Sequence, residues 1–284
     1  MVKVKSSFGK VSGTSANTIY YEVNGVTFGR SKPSKMGNPK TEAQMKQRIK
    51  MNNILNMYKY IKGYLQQNFE GIIGNKNASS FFRSYNLMKT PVWLTKEQKE
   101  SCKFVLATYV VAQGRINSVG YEFRDGLFVS DINAGDLEIN DETEESVLSS
   151  VVCANNEGWT NNDSLQVILL RQKRAASLDE EIAHPTCCSI VVSLDKASAT
   201  KIGDIAPLES LSNMSRFSLC SVDGKLAVRV EDSEEYTYAF AAVHGRGQGR
   251  DKIVSTQQLC LSDNALYDSY CSKEAFDKAY ESYK

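Results

Sequence analysis

The sequence has few of the side chains on which metal and nucleophile chemistry depend. Only two histidines occur among its 284 residues, and its seven cysteines include no Cys-x-x-Cys pair. This composition argues against a classical zinc site. Because the cysteine count is odd and the spacings are unpaired, we predict reduced thiols rather than a disulfide framework, as expected for a protein assembled in the cytoplasm.

Long apolar runs are also absent. No stretch approaches the length of a membrane span, and the N-terminal segment MVKVKS lacks the apolar core of a signal peptide. We therefore expect no membrane span. The apolar content of 42% and the aromatic content of 10% are typical of a globular protein with a buried core.

Catalytic motifs are missing as well. The glycine-rich segment HGRGQGR, residues 244–250, lacks the Lys-Ser/Thr pair and the following helix of a phosphate-binding loop. Strand-like runs lie on both sides of it, so it predicts a hairpin loop whose arginines can contact a partner. Cys187 lies too close to His184 in sequence to suggest a catalytic pair, and the acidic residues 141–145 lack the spacing of a calcium loop. We predict no catalytic residue, no cofactor and no metal ligand, and hence no enzyme.

Charge is distributed unevenly along a chain whose formal net charge is only +1. Residues 1–104 contain 18 Lys/Arg and 5 Asp/Glu, a net charge of +13, whereas residues 105–284 contain 16 Lys/Arg and 28 Asp/Glu, a net charge of −12. Such a split fits a basic end that contacts nucleic acid or an acidic neighbour, or copies that stack through opposite charges. It also fits a chain whose charges serve only solubility.

Residues 38–69 predict a long amphipathic helix around which the rest of the chain is organised. Two overlapping starts are available: Asn38 with Pro39 at the first helical position, and Thr41 followed three residues later by Gln44. Apolar residues recur at helical spacing along the whole stretch. Basic residues cover much of the remaining surface, as in a core-packing helix with a solvated face or in a helix that docks a partner or faces phosphate.

The candidate interface residues are basic side chains of the N-terminal hairpin and its loop, of the long helix and of the glycine-rich loop. They are Arg30, Lys32, Lys35, Lys46, Arg48, Lys50, Arg246 and Arg250.

The predicted fold class is α+β. A basic N-terminal hairpin, centred on Asn24-Gly25, and the long helix are followed by an antiparallel β-sandwich or barrel-like domain and a short C-terminal helix. The expected divisions are a flexible basic arm at 1–17, a hairpin and helical region at 18–103, a β-domain at 104–262 and a helical tail at 263–284. Ten strand-like runs define the β-domain, including residues 104–112, 147–153 and 253–261.

The N-terminal part resembles an uncharacterised family found in Bacteroides-type bacteria and their phages, including crAss-like phages. The resemblance covers about residues 9–87. It comprises the Gly/Ser arm, a hairpin ending in Arg and Pro, the helix start Asn-Pro-Lys-Thr-x-x-Gln (where the family has Arg in place of Lys40) and the segment FFRSYN at 81–86. In the β-region, Gly158-Trp159-Thr160 with Asp163, and the strand YAFAA at 238–242, are similar to family positions.

This resemblance implies a phage virion protein and supplies no catalytic residues. We therefore expect a homo-oligomeric structural subunit, such as a ring in the neck, tail or head-to-tail connector region, that contacts its own copies, other virion proteins and, through its basic end, packaged DNA. It would be assembled in the host cytoplasm and located in the virion. Two alternatives are a nucleic-acid-binding protein that uses the basic N-terminal region, and a head-fibre or receptor-binding module built on the β-domain.

Overall fold

The computed structural model describes residues 2–3, 13–15, 17–23, 26–32, 41–71, 77–175, 177–205 and 218–284. The N-terminal elements are β1 (Val2–Lys3), β2 (Gly13–Ser15), β3 (Thr18–Val23), β4 (Val26–Ser31), α1 (Glu42–Leu65), α2 (Ala78–Asn86) and α3 (Lys96–Glu100). They are followed by β5 (Val110–Ala112), β6 (Tyr121–Arg124), β7 (Leu127–Asn133), α4 (Glu145–Asn155), β8 (Asp163–Lys173) and β9 (Thr186–Leu194).

The C-terminal elements are β10 (Ser218–Val222), β11 (Lys225–Arg229), β12 (Tyr236–Arg246), β13 (Ile253–Val254), β14 (Gln257–Gln258), β15 (Cys260–Leu261), α5 (Ala265–Cys271) and α6 (Lys273–Ser282). Two 3-10 turns, Ile202–Asp204 and Gly249–Asp251, complete the set. The described chain is therefore mixed α+β with antiparallel sheets, a long N-terminal helix and a short C-terminal helix, as the sequence predicts.

Helix α1 uses the second of its two predicted starts. The Thr41 hydroxyl accepts a hydrogen bond from the Gln44 amide at 3.4 Å, and the helix begins at Glu42. Asn38 and Pro39, the other predicted start, lie outside the described residues. The apolar stripe from Met45 to Leu65 is buried, which confirms the predicted periodicity, but the helix ends at Leu65 rather than at residue 69.

The N-terminal strands form a four-stranded sheet in the order β1-β4-β3-β2. Val23 pairs with Val26 across the hairpin, as a two-residue turn requires, although Asn24 and Gly25 themselves lie outside the described residues. Residues 2–3 and 13–15 pair with β4 and β3. These five residues therefore form strands where the sequence predicts an arm without regular structure, because backbone pairing to the hairpin edges requires no apolar pattern.

A central sheet, in the order β13-β12-β8-β9 with β15 also on β12, is covered on both faces. Along β8, Ile168 and Leu170 face a cluster that includes the apolar stripe of α1, whereas Val167 and Leu169 face a second cluster. This alternation is the two-residue period of a strand. Burial on both faces explains why β8 and β12 are almost continuously apolar in sequence.

The second cluster is closed by another sheet, in the order β10-β11-β7-β6, and by α4. Phe128 of β7 stacks on Phe240 of β12 with ring centroids 5.0 Å apart, so the two sheets pack face to face. The described chain thus has three layers here: helices, the central sheet and the second sheet. The predicted sandwich-like pairing of sheets is present, with a helical layer added on the outer face of the central sheet.

The predicted strand at 147–153 is wrong, because this segment belongs to α4. The buried positions of α4 are Glu145, Leu148, Ser149 and Val152, which follow helical spacing. A short apolar run such as VLSSVVC fits a strand or a helix by composition, and the run alone does not distinguish them. Glu145 Oε1 accepts a hydrogen bond from the Ser193 amide, and its Oε2 accepts one from the Ser198 hydroxyl, both at 2.7 Å. These bonds attach the start of α4 to β9 and the residues that follow it.

Only residues 110–112 of the predicted strand at 104–112 form a strand. The preceding segment is buried, and side-chain amides bond its backbone in place of a neighbouring strand. Asn53 bonds both the N–H and the C=O of Val105, and Gln172 bonds Leu106 N–H and Phe104 C=O. This arrangement satisfies buried backbone groups that a strand would otherwise pair.

The C-terminal region differs from the prediction in detail. The predicted strand at 253–261 is divided into β13, β14 and β15, which pair with β12, β5 and β12 respectively. The tail forms two helices separated at Ser272, whose hydroxyl accepts from the Ala275 amide at 3.1 Å. Ala275 and Ala279 pack with Ile49 of α1 and with Trp93, so the tail closes onto the body of the same chain.

Candidate functional site

The most heavily bonded side chain at the end of the central sheet is Asp163, the first residue of β8. Its side chain is completely buried. Directly opposite on β12, Arg246 donates from Nε to Oδ1 at 2.7 Å and from Nη2 to Oδ2 at 2.8 Å. His244 Nε2 lies 2.8 Å from Oδ2, and Thr160 donates from its backbone N–H and its hydroxyl at 2.9 and 2.8 Å. Asp163 therefore joins two strands and the turn that precedes β8.

The same turn carries Trp159, whose ring lies flat on the imidazole of His244. The ring centroids are 3.7 Å apart and the planes differ by 3°. Gly158, with φ of +83°, adopts a backbone conformation that favours glycine, and its carbonyl accepts from Arg246 Nη2 at 2.6 Å. The turn 158–160 is thus fastened to the end of β12 by one aromatic stack and by Arg246.

The charges in this cluster are coupled. Burial alone would raise the pKa of Asp163, but hydrogen bonds from Arg246, His244 and Thr160 outweigh it and lower the pKa to about 2. Burial lowers the pKa of His244, and the adjacent Asp163 carboxylate opposes that shift only in part. The imidazole is therefore neutral at pH 7, with its proton on Nε2 for donation to Asp163.

An Asp-His pair is part of several hydrolytic sites, where a hydroxyl or thiol bonds the free imidazole nitrogen. Among the described residues, no hydroxyl or thiol hydrogen-bonds the ring of His244; the Ser255 hydroxyl accepts from the His244 backbone N–H instead. Trp159 also covers one face of the ring. The arrangement positions a turn and a hairpin end, and we assign it that role.

The lowered pKa of Asp163 predicts a specific dependence of stability on pH. Because the folded pKa, about 2, lies below the ordinary value of 3.8, the ionised carboxylate contributes its full stabilisation above about pH 4. That contribution should be lost as the pH falls from about 4 towards 2. Urea unfolding of the wild type and of Asp163→Asn across this range should show a steeper loss in the wild type; parallel curves would contradict the assignment.

An open cleft of about 960 Å³ lies beside Asp163. Its walls are the C-terminal end of α1 with the following residues 66–68, the turn and start of β8, part of β9, residues 246–249 and Lys252. The glycine-rich segment forms the predicted hairpin loop, since β13 turns back to pair with β12. Among the described residues, no group of three or more His, Cys, Asp or Glu side chains is arranged to hold a metal ion.

The predicted interface residues are in different environments. Arg30 and Lys32 are exposed at the end of β4, and Lys46 and Arg48 are exposed on α1, with Lys50 half-buried. The Lys46 ammonium lies over the rings of Trp93 and Phe276, at 5.9 and 5.5 Å from their centroids, and so it takes part in packing.

The two arginines of the glycine-rich loop complete this set. Arg246, the last residue of β12, is bonded to Asp163 and Gly158, and its side chain is 39% exposed, so its contact with a partner stays a prediction. Arg250 lies in the second 3-10 turn. Lys35 lies outside the described residues.

Comparison with known proteins gives one family match. Residues 7–91 match the model of a family described as "Family of unknown function (DUF6266)". No curated protein and no solved structure matches the chain. The matched segment covers less than a third of the chain, so it makes the N-terminal part similar to that family without extending to the rest.

The match includes α1 and residues 66–68 of the cleft wall, whereas Asp163, His244 and Arg246 lie beyond it. This family has no assigned function, so the expected connection with phages stays a prediction. None of the helices in the described ranges has both the length and the apolarity needed to cross a membrane.

Sequence reasoning did not identify Asp163 as the centre of this cluster or Lys252 as part of the cleft. In the sequence, Asp163 is only one of the positions that resemble the family. A carboxylate at the start of an otherwise apolar run indicates a buried polar cluster, because a charge at a buried strand end needs a partner. The partner, Arg246, follows 83 residues later, and only the strand pairing brings them together.

Proposed function

We propose that the protein is a structural subunit that assembles with copies of itself into a ring, in which a basic surface of one copy contacts an acidic surface of the next. The setting in a phage virion rests on the resemblance of the N-terminal part described above. What supports self-assembly is the placement of opposite charges on opposite sides of the central sheet.

The basic surface is formed by the outer face of α1. Lys59 and Lys62 are exposed there, and they make no ion pair within the part of the chain that the structure describes. The inner face of α1 packs on one side of the central sheet. These ammonium groups are therefore available to a neighbouring chain.

The acidic surface is the loop between β7 and α4, which packs on the other side of the central sheet through Leu137 and Ile139. Its exposed carboxylates are Asp136, Glu138, Asp141, Glu142 and Glu144, of which Glu142 is paired with Lys201. A contact between unlike surfaces of identical chains is heterologous, and such contacts form rings when the rotation closes.

A charge-swap series tests this proposal. Lys59→Glu with Lys62→Glu should weaken self-association at least about tenfold, and Asp136→Lys with Glu138→Lys should do the same, because each places like charges across the contact. Combining both pairs in one chain should restore association. The measurement is the mass of the native assembly by sedimentation velocity at low and high salt, since such contacts weaken as salt rises.

The matched control reverses two exposed lysines elsewhere, Lys196→Glu with Lys225→Glu, and has the same change in net charge. It should associate as the wild type does. A wild type that stays monomeric at all concentrations and salt conditions would contradict the proposal. If that monomer binds DNA with a steep salt dependence that the Lys59/Lys62 variant loses, the nucleic-acid-binding alternative is supported instead.

A further inference from the structure

The cleft beside Asp163 has features that the proposed assembly role does not use. Among the described residues that line it, Asp163 is the only carboxylate, and its charge is compensated by Arg246. Lys252 also lines the cleft and makes no ion pair with any described residue. The part of the lining that the structure describes therefore carries one uncompensated positive charge, that of Lys252.

Lys252 is held in a partly desolvated position. Its side chain lies across Gly245, where an added Cβ would be 2.8 Å from Lys252 Cε and 3.0 Å from the Ser164 hydroxyl. Burial lowers the pKa of Lys252, and no carboxylate in the described chain offsets that cost. A desolvated ammonium without a partner is unfavourable, so an anion that enters the cleft would be bound there.

The remaining polar lining consists mainly of amides. Gln66, Gln67, Asn162 and Gln248 are exposed in the cleft, and their side chains make no hydrogen bond within the described ranges. Asn68 is 1% exposed, and its Nδ2 has no hydrogen-bond partner among the described residues. Primary amides donate and accept hydrogen bonds at short range, which suits a ligand with several hydroxyl groups.

We propose that this cleft binds a polyhydroxylated oxyanion of the sugar-phosphate class, with its anionic group at Lys252 and its hydroxyls at the amides. A volume of about 960 Å³ far exceeds that of a bare phosphate ion and accommodates such a molecule with its hydration. Tyr64 is the only aromatic residue that lines the described cleft, so a flat stacked base is less well matched than a sugar.

The test is calorimetric titration of the full chain with glucose 6-phosphate, with glucose and inorganic phosphate as separate probes. Glucose 6-phosphate should bind more tightly than either part. Lys252→Gln should weaken its binding at least tenfold, because a charge-assisted hydrogen bond is lost, and Lys252→Arg should retain most of it. Lys225→Gln, which removes an exposed lysine at the start of β11, should have no effect.

Folding is checked separately. Because Lys252 is desolvated and unpaired, Lys252→Gln should leave the melting temperature unchanged or raise it. The double variant Asn162→Ala, Gln248→Ala removes exposed amides and should weaken binding several-fold with the fold intact. Unchanged binding in both variants, equal binding of inorganic phosphate and glucose 6-phosphate, or no binding of glucose 6-phosphate by the wild type would each overturn the proposal.

Discussion

Replacing Asp163 with alanine should lower the free energy of unfolding by about 3–5 kcal/mol, because its donors, of which His244 is buried, lose a completely buried charged acceptor. Five donor contacts from Arg246, His244 and Thr160 converge on this carboxylate. Without it, the turn at 158–160 loses the two hydrogen bonds from Thr160 to the carboxylate and keeps only the backbone bond from Asp163 N–H to the Thr160 carbonyl at this strand end. Urea unfolding at pH 7, followed by far-ultraviolet circular dichroism, measures the effect.

Asp179→Ala is the matched control. Asp179 also pairs with a basic side chain, Lys278, at 2.6 Å, but its own side chain is almost fully exposed. Exposed pairs contribute about 0–1 kcal/mol, so this substitution should have little effect. Arg246→Met should be destabilising, and a double variant with Asp163→Ala should cost less than the sum of the two single variants. A loss below about 1 kcal/mol for Asp163→Ala would contradict the central role of this residue.

The fold class could be predicted from the sequence because its main elements have strong local periodicity. The apolar stripe of α1 and the hairpin around residues 24–25 depend on neighbouring residues, and the structure confirms both. Strands β8 and β12 were located to within a few residues, since each is a long β-branched or aromatic run. Here local preference and tertiary environment agree.

The secondary-structure predictions are wrong in segments that make contacts with residues distant in the sequence. The apolar run at 147–153 is helical, with Leu148 and Val152 buried, and Glu145 just before it bonds the end of β9. In the run at 104–109, which lies outside the sheets, amides from α1 and β8 bond the backbone of residues 104–106 in place of a neighbouring strand. These hydrogen bonds join residues that are 48–68 positions apart in the chain, so the local sequence does not indicate them.

The candidate site was less predictable than the fold for the same reason. The basic residues of α1 could be identified from their spacing, but the packing of Lys46 on Trp93 and Phe276 depends on helix α6, more than 200 residues away. The Asp163 cluster requires the register of β8 against β12. The cleft requires α1, β8 and the glycine-rich loop to meet, which no single stretch of sequence indicates.

The second large effect is expected at Asn53, a buried polar residue within the apolar side of α1. Its Oδ1 accepts from the Val105 amide at 2.8 Å, and its Nδ2 donates to the Val105 carbonyl at 3.0 Å and to the Tyr109 hydroxyl at 3.1 Å. Asn53→Ala leaves a buried N–H and a buried C=O without partners, each costing about 1–3 kcal/mol. The expected loss of unfolding free energy is about 3–5 kcal/mol in total.

Asn52→Ala is the control on the adjacent position of the same helix. Asn52 is also buried, but its side chain makes one hydrogen bond, to the Tyr283 hydroxyl at 2.8 Å, and so its loss should cost about 1 kcal/mol. Amide hydrogen exchange separates a local cause from a global one. After correction for the lower global stability, the Val105 N–H should lose protection in Asn53→Ala and keep it in Asn52→Ala, because only the first variant removes its acceptor. Equal costs for the two variants, or unchanged protection of Val105, would show that the segment at 104–109 is held by apolar packing rather than by the Asn53 amide.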